Sequence, residues 1–174
     1  SEVEDVVRKV RELVKRLRDE SRRLVEESRR LVEELEKRSR DLVKTAEDIV
    51  RELKEAGVPE EAVDKLRKVV ETLKDELRRS NEKSERASRE SKDRLKKSND
   101  ESERVVREVE KLLRAGVDKD ELDKEVKEAV KKNREIIRRL EKRNRDVVEE
   151  NRKIIEDIEK KVRDVVREVR REAK

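Results

Sequence analysis

The side chains that most often carry catalysis are few in this sequence. Histidine and cysteine are absent, which excludes Ser-His triads, thiolate nucleophiles and the usual zinc ligand sets. Serine and lysine are near neighbours in several places, but the helical pattern suggests no buried lysine. The segment Asp118-Lys119-Asp120 lacks the mid-loop glycine of a calcium loop, and we interpret it as a helix cap. We therefore predict that the chain is not an enzyme and needs no metal or cofactor.

Composition and charge narrow the possible partners. The chain has 53 Lys and Arg against 48 Asp and Glu, and opposite signs alternate locally. This pattern predicts a solvated surface, and the aromatic residues that stack on bases are absent, so weak polyanion binding is only a minor alternative. Because no apolar run approaches a membrane span, we expect a soluble protein without nucleic-acid or membrane partners. That is consistent with recombinant cytoplasmic expression, and the compartment is left unassigned.

The asparagines and serines are the informative residues, because all of them except Ser1 fall on the inward positions of the predicted helices. A buried amide that lacks a partner costs about 1–3 kcal/mol, so such residues are expected in hydrogen-bonded groups. For Ser21 and Ser39, a bond to the carbonyl four residues earlier is an equal alternative. The Ser-rich middle of helix 2 could be dry, water-filled or open to a partner. The predicted structural polar core consists of Asn81, Asn99, Asn133, Asn144, Asn151, Ser28, Ser80, Ser84, Ser88, Ser98 and Ser102.

The elements that position these residues follow an 18-residue repeat. Residues 133–150 and 151–168 are identical at about 11 of 18 aligned positions, and eighteen residues are five helical turns. Each side chain therefore returns to the same side of a straight helix, whereas a heptad repeat would favour a left-handed supercoil. Seven inward positions in every 18 form a face wide enough to contact two neighbouring helices.

Two glycines mark the ends of helices. The segments Ala56-Gly57-Val58-Pro59 and Ala115-Gly116-Val117 are typical of helix stops with glycine in the left-handed conformation. Ser1 with Glu4, and Asp118 with Glu121, have the spacing of a capping box. The predicted helices cover residues 2–56, 59–115 and 119–173. Short connections make them antiparallel neighbours, so the predicted fold is all-α: a straight, untwisted, antiparallel three-helix bundle about 80 Å long, forming one domain over residues 1–174.

An antiparallel register groups the polar residues into three layers. If Glu55 lies level with Glu60, residue numbers at one height sum to about 115 for helices 1 and 2 and to about 232 for helices 2 and 3. The first layer then contains Asn99, Asn133, Ser98 and Ser102. The second contains Asn81, Asn151 and Ser80. The third contains Asn144, Ser84, Ser88 and, on helix 1, Ser28.

The untwisted repeats, the two similar loops and the confinement of Asn and Ser to the interior resemble de novo designed parametric helical bundles with buried hydrogen-bond networks. The resemblance covers the whole chain, but it is one of style and transfers no site residue. It implies a scaffold, an oligomer or a caged switch without a natural activity. We expect a monomeric structural scaffold whose polar layers specify helix register. The alternative is a helical interaction module, either a homo-oligomer or a cage component, that uses the polar face of helix 2.

Overall fold

The computed structural model describes residues 1–172 of the chain, and nearly all of them are helical. The three helices are α1 (Glu2–Glu55), α2 (Glu60–Arg114) and α3 (Lys119–Glu172). Each described boundary lies within one residue of the prediction, while the predicted end of helix 3 at residue 173 lies outside the described residues. The all-α three-helix class is confirmed. The straight, untwisted course, the length of about 80 Å and the single domain over residues 1–174 stay predictions.

Both helix stops are Schellman motifs, in which two amides beyond the helix bond back to carbonyls of its last turn. Gly57 has φ 83° and its amide donates to the Lys54 carbonyl at 3.2 Å, while the amide of Val58 donates to the Leu53 carbonyl at 3.1 Å. The second stop repeats these bonds, with Gly116 at φ 87°. The loops differ in the residue after glycine, because Val58 packs against the core whereas Val117 is exposed.

The two predicted capping boxes are only partly formed. The Ser1 hydroxyl accepts a long hydrogen bond of 3.4 Å from the Glu4 amide, as the spacing predicts. At the start of α3, the Asp118 carboxylate accepts from the Asp120 amide at 3.1 Å. Asp118 therefore caps the second amide of the helix rather than the third, and the expected reciprocal bond with Glu121 is replaced by a simple N-cap.

The helices pack into two compact units, and each unit contains a segment of every helix. Unit 1 comprises residues 1–29 and 87–145, and unit 2 comprises residues 30–86 together with α3 from residue 146. Every position that the 18-residue frame places inward is buried or half-buried. The helical period therefore predicts correctly which side of each helix faces its neighbours.

The core of each unit is aliphatic and contains no aromatic side chain. Unit 1 has two apolar clusters: one contains Val7, Val10, Val14, Val106, Val109, Leu113, Leu122 and Val126, and the other contains Leu17, Leu24, Leu95, Ile137 and Leu140. Unit 2 has one larger cluster, centred on Leu66, Leu77, Ile155 and Ile158. The buried asparagines and serines interrupt these apolar clusters and form the candidate functional site.

Candidate functional site

Asn151 organises a fully bonded polar layer in unit 2. Its side chain is 2% exposed. The Ser80 hydroxyl donates to its Oδ1 atom at 2.6 Å, while its Nδ2 atom donates to Asn81 Oδ1 at 3.0 Å and to Ser84 Oγ at 2.9 Å. Both amide hydrogens and the carbonyl of Asn151 are therefore paired. The predicted grouping with Ser80 and Asn81 is present, and Ser84 joins this layer instead of the layer around Asn144.

Asn144 joins all three helices within unit 1. Its Nδ2 atom donates to Ser28 on α1 at 2.8 Å, and its Oδ1 atom accepts from Ser91 on α2 at 2.8 Å. The contact with Ser28 is the one that the sequence predicts. The predicted contacts with Ser84 and Ser88 are wrong, because Ser91, one helical turn beyond Ser88, takes their place.

Asn133 is buried in unit 1 but only half paired. It is 2% exposed, and its Nδ2 atom donates to the Ser102 hydroxyl at 2.7 Å and to the Ser98 carbonyl at 3.5 Å. Among the described residues, its Oδ1 atom has no hydrogen-bond partner. The predicted grouping of Asn133 with Ser98 and Ser102 is therefore present, but its predicted pairing with Asn99 is wrong. An unpaired buried carbonyl of this kind costs about 1–3 kcal/mol relative to a paired one.

Asn99 turns toward α1 instead of α3. Its Oδ1 atom lies 3.4 Å from the Ser21 hydroxyl, and its side chain is half-exposed. Asn81, Ser88 and Ser98 are also half-buried rather than fully inward. The central part of α2 is thus neither uniformly dry nor open, because its buried serines alternate with partly solvated polar positions.

Several buried serines also bond to their own helix. The hydroxyls of Ser21 and Ser39 lie 2.8 Å and 2.9 Å from the carbonyls of Leu17 and Leu35. The same bond to the carbonyl four residues earlier occurs at Ser84 and Ser102. The single hydroxyl hydrogen of Ser91 is shared between the Ala87 carbonyl at 2.9 Å and Asn144 Oδ1 at 2.8 Å. A hydroxyl can donate locally and still accept from an asparagine. The local bond and the interhelical bond are therefore compatible at Ser84 and Ser102.

The predicted register fails only between α1 and α2, because contacting pairs of α2 and α3 such as Asn81 with Asn151 and Lys83 with Glu150 have residue numbers that sum to 232 and 233, close to the predicted 232. Contacting pairs of α1 and α2, such as Ser21 with Asn99 and Arg11 with Glu110, have residue numbers that sum to 120 and 121, not to 115. Side chains lean toward the N-terminus of their own helix, so touching residues on antiparallel helices lie about one position further along each helix than residues at the same height. This lean accounts for about two of the five or six positions by which these sums exceed 115. The assumption that Glu55 and Glu60 lie level accounts for the rest.

The pKa shifts of Glu36 and Glu149 each have a local physical cause. Burial raises the pKa of Glu36 in unit 2, and the nearby Glu85 carboxylate raises it further. On α3, a hydrogen bond from Arg152 lowers the pKa of Glu149. Across residues 1–172, no cluster of three or more carboxylates is arranged to hold a metal ion. In the same part of the chain, no helix combines the length and the apolar character needed to cross a bilayer.

One feature of unit 2 was missed by the sequence analysis. Arg163, Arg167, Arg170 and Arg171 of α3 line a groove between α1 and α3. Their spacing of four, three and one residues places them on one side of a helix, which is the signal that could have revealed them. Basic and acidic residues nearly balance over the whole chain, and this balance hides the local excess of arginine.

Comparisons with known proteins give no match to any family model, curated protein or solved structure.

Proposed function

We propose that the chain is a structural scaffold of the de novo designed type, in which buried polar layers specify how the helices align. The observation that carries this proposal is the complete pairing of Asn151 by Ser80, Asn81 and Ser84. A shift of one residue along a helix rotates its side chains by about 100°, which would separate these partners and leave an amide buried without a bond. Incorrect alignments are thereby disfavoured.

The sequence supports a designed origin through two regularities. The 18-residue repeat recurs over residues 133–168 with about 11 of 18 positions identical. All Asn and all Ser except Ser1 are inward, while the exposed positions carry mostly Glu, Asp, Lys and Arg. A surface drawn from a few strong helix formers is typical of designed helices. The proposal therefore includes the absence of a natural catalytic activity.

Spin-label distances test whether the layer specifies alignment. Lys83 and Glu150 form an ion pair of 3.2 Å beside the layer, and because the chain has no cysteine, K83C and E150C can each carry one label. The unsubstituted layer should give a narrow distance distribution. Replacing it with N151L, N81L, S80A and S84A should keep or raise stability but broaden the distribution.

The matched control for this experiment is S39A, which removes a buried serine of the same unit that bonds to its own helix. It should leave the distribution narrow. If the apolar layer also leaves it narrow, the polar residues do not specify alignment and the proposal is wrong.

A helical interaction module is the second candidate, and Asn133 is the observation that favours it. Its Oδ1 atom is buried without a partner among residues 1–172, beside half-buried Ser98 and Asn99 on α2. A helix from a second copy that brought a hydrogen-bond donor would satisfy this atom once the Asn133 side chain turned out of its buried position. Light scattering distinguishes the candidates: a mass near 20.9 kDa supports the monomeric scaffold, and twice that mass supports the interaction module.

A further inference from the structure

The groove between α1 and α3 in unit 2 has the size and the walls of a small-ligand site. Its volume is about 730 Å³, within the range of about 300–1,000 Å³ that is usual for ligand pockets. Half-buried Leu42 and Ile49 form the α1 side, while Val162 and Val166 form the apolar part of the α3 side. These aliphatic side chains would lie against an apolar ligand.

Most of the charged side chains that line this groove are positive. The basic residues Arg163, Arg167, Arg170 and Arg171 line it together with Arg38, against two acids, Asp41 and Glu159. Arg38 is already paired with Glu159 at 2.8 Å, whereas none of the four α3 arginines forms an ion pair within residues 1–172. By contrast, the groove between α2 and α3 in unit 1 has equal numbers of basic and acidic side chains.

Helix-dipole compensation explains only part of this cluster. Arg170 and Arg171 lie in the last turn of α3, where cations stabilise the negative end of a helix. The effect of the helix dipole fades within one turn of the helix end. Arg163 and Arg167 lie more than one turn from that end. Arg163 and Arg167 thus have no role in capping the helix.

We propose that this groove binds a single-chain anionic amphiphile, meaning a carboxylate or sulfate attached to an alkyl tail. Arg38 and Glu159 pair at an offset of 121 residues between the parallel segments of α1 and α3, which places Ile49 near Arg167 and Arg170. The anionic head lies among Arg167, Arg170 and Arg171, since guanidinium groups bind oxyanions with paired donors. The tail runs from there toward Leu42.

The length of the groove suits an extended alkyl chain. The lining residues on α1 span residues 38–49, a length of about 16 Å. An alkyl chain of similar length is thin enough to lie between the aliphatic walls, where burial of its methylene groups stabilises binding.

Isothermal titration of the full chain with dodecanoate tests this proposal at neutral pH. We expect saturable binding with one site per chain, which weakens as salt is added. The variant R167Q/R170Q/R171Q should bind at least about tenfold more weakly because the head loses its charged donors. The matched control R16Q/R22Q/R23Q removes three exposed charges from unit 1 and should bind as the unsubstituted chain does.

Two further ligands separate the contributions of head and tail. Dodecyltrimethylammonium has the same tail with a cationic head and should not bind in the groove, and acetate has the head without the tail and should bind too weakly to measure. Equal binding of dodecanoate by both triple variants would overturn the proposal. So would equal binding of the cationic ligand, tighter binding of an acidic amphipathic peptide, or no saturable binding of dodecanoate. None of these outcomes bears on the scaffold proposal, which rests on Asn151.

Discussion

The side-chain amide of Asn144 on α3 donates a hydrogen bond of 2.8 Å to the hydroxyl of Ser28 on α1. The same side chain accepts from Ser91 on α2 and is only 6% exposed. One residue therefore links the three helical segments of unit 1 in a buried environment. Removing it would leave the Ser28 hydroxyl without a bond, and a buried hydroxyl without a partner is costly.

We expect the substitution N144A to lower the free energy of unfolding by about 1–3 kcal/mol, because it breaks two buried hydrogen bonds. The control N99A makes the same change at a half-exposed side chain with a single contact of 3.4 Å, and it should change stability by less than about 0.5 kcal/mol. Urea unfolding followed by circular dichroism measures both. Equal effects of the two substitutions would show that the Asn144 bonds contribute nothing beyond local helix propensity.

The substitutions N133L and N151L should have opposite effects on the free energy of unfolding. Both are 2% exposed, but the Asn133 Oδ1 atom lacks a partner among the described residues while Asn151 is fully bonded. N133L removes an unpaired acceptor, and Ser102 keeps its bond to the Ser98 carbonyl at 3.0 Å, so stability should be unchanged or higher. N151L should destabilise by about 1–3 kcal/mol. If N133L is as destabilising as N151L, the Asn133 carbonyl is paired in solution.

Alanine at Gly57 should destabilise the protein by about 1–2 kcal/mol, because an L-residue with a side chain is strained in the left-handed conformation. A Cβ atom added there meets no other atom within 4 Å, so the cost comes from the backbone alone. G57N is the control and should cost less, since asparagine tolerates this conformation. Thermal unfolding of the two variants measures the difference. Identical loss in both would contradict this prediction, because it would mean that asparagine gains nothing here from its tolerance of positive φ.

The effect of Glu36 on stability should depend on pH. Burial and then Glu85 raise its pKa above the ordinary value of 4.5, against an opposing effect of Arg40. The folded protein thus binds this proton more tightly than the unfolded chain does, so the ionised carboxylate destabilises the fold above the raised pKa. E36Q should therefore stabilise the protein at neutral pH. This gain should disappear as the pH falls through the raised pKa to below 4.5, as urea midpoints at several pH values would show.

The control substitution E149Q should change the stability at neutral pH in the opposite direction. A hydrogen bond from Arg152 lowers the pKa of this carboxyl below 4.5, so its stabilising contribution is present above 4.5 and is lost as the pH falls through the lowered pKa. E149Q should therefore weaken the fold slightly at neutral pH and have no effect in acid. A gain in stability from E149Q at neutral pH would contradict this assignment.

Sequence alone determined the helices, their ends and their inward faces. These features depend on local physics: the 3.6-residue period selects the buried side of each helix, and Gly57 and Gly116 end helices because glycine adopts positive φ without strain. The same reasoning identified the asparagines and serines as the residues that need partners, since a buried amide must be paired.

Only the tertiary structure decided which partners meet. Asn144 bonds to Ser91 rather than Ser88, and Asn99 lies beside Ser21 of α1 rather than beside Asn133, because side chains lean along their helices and the loops offset one helix against the next. The arginines of α3 are visible in the sequence. Their apolar wall, formed by Leu42 and Ile49, is not, because it comes from a helix more than a hundred residues away.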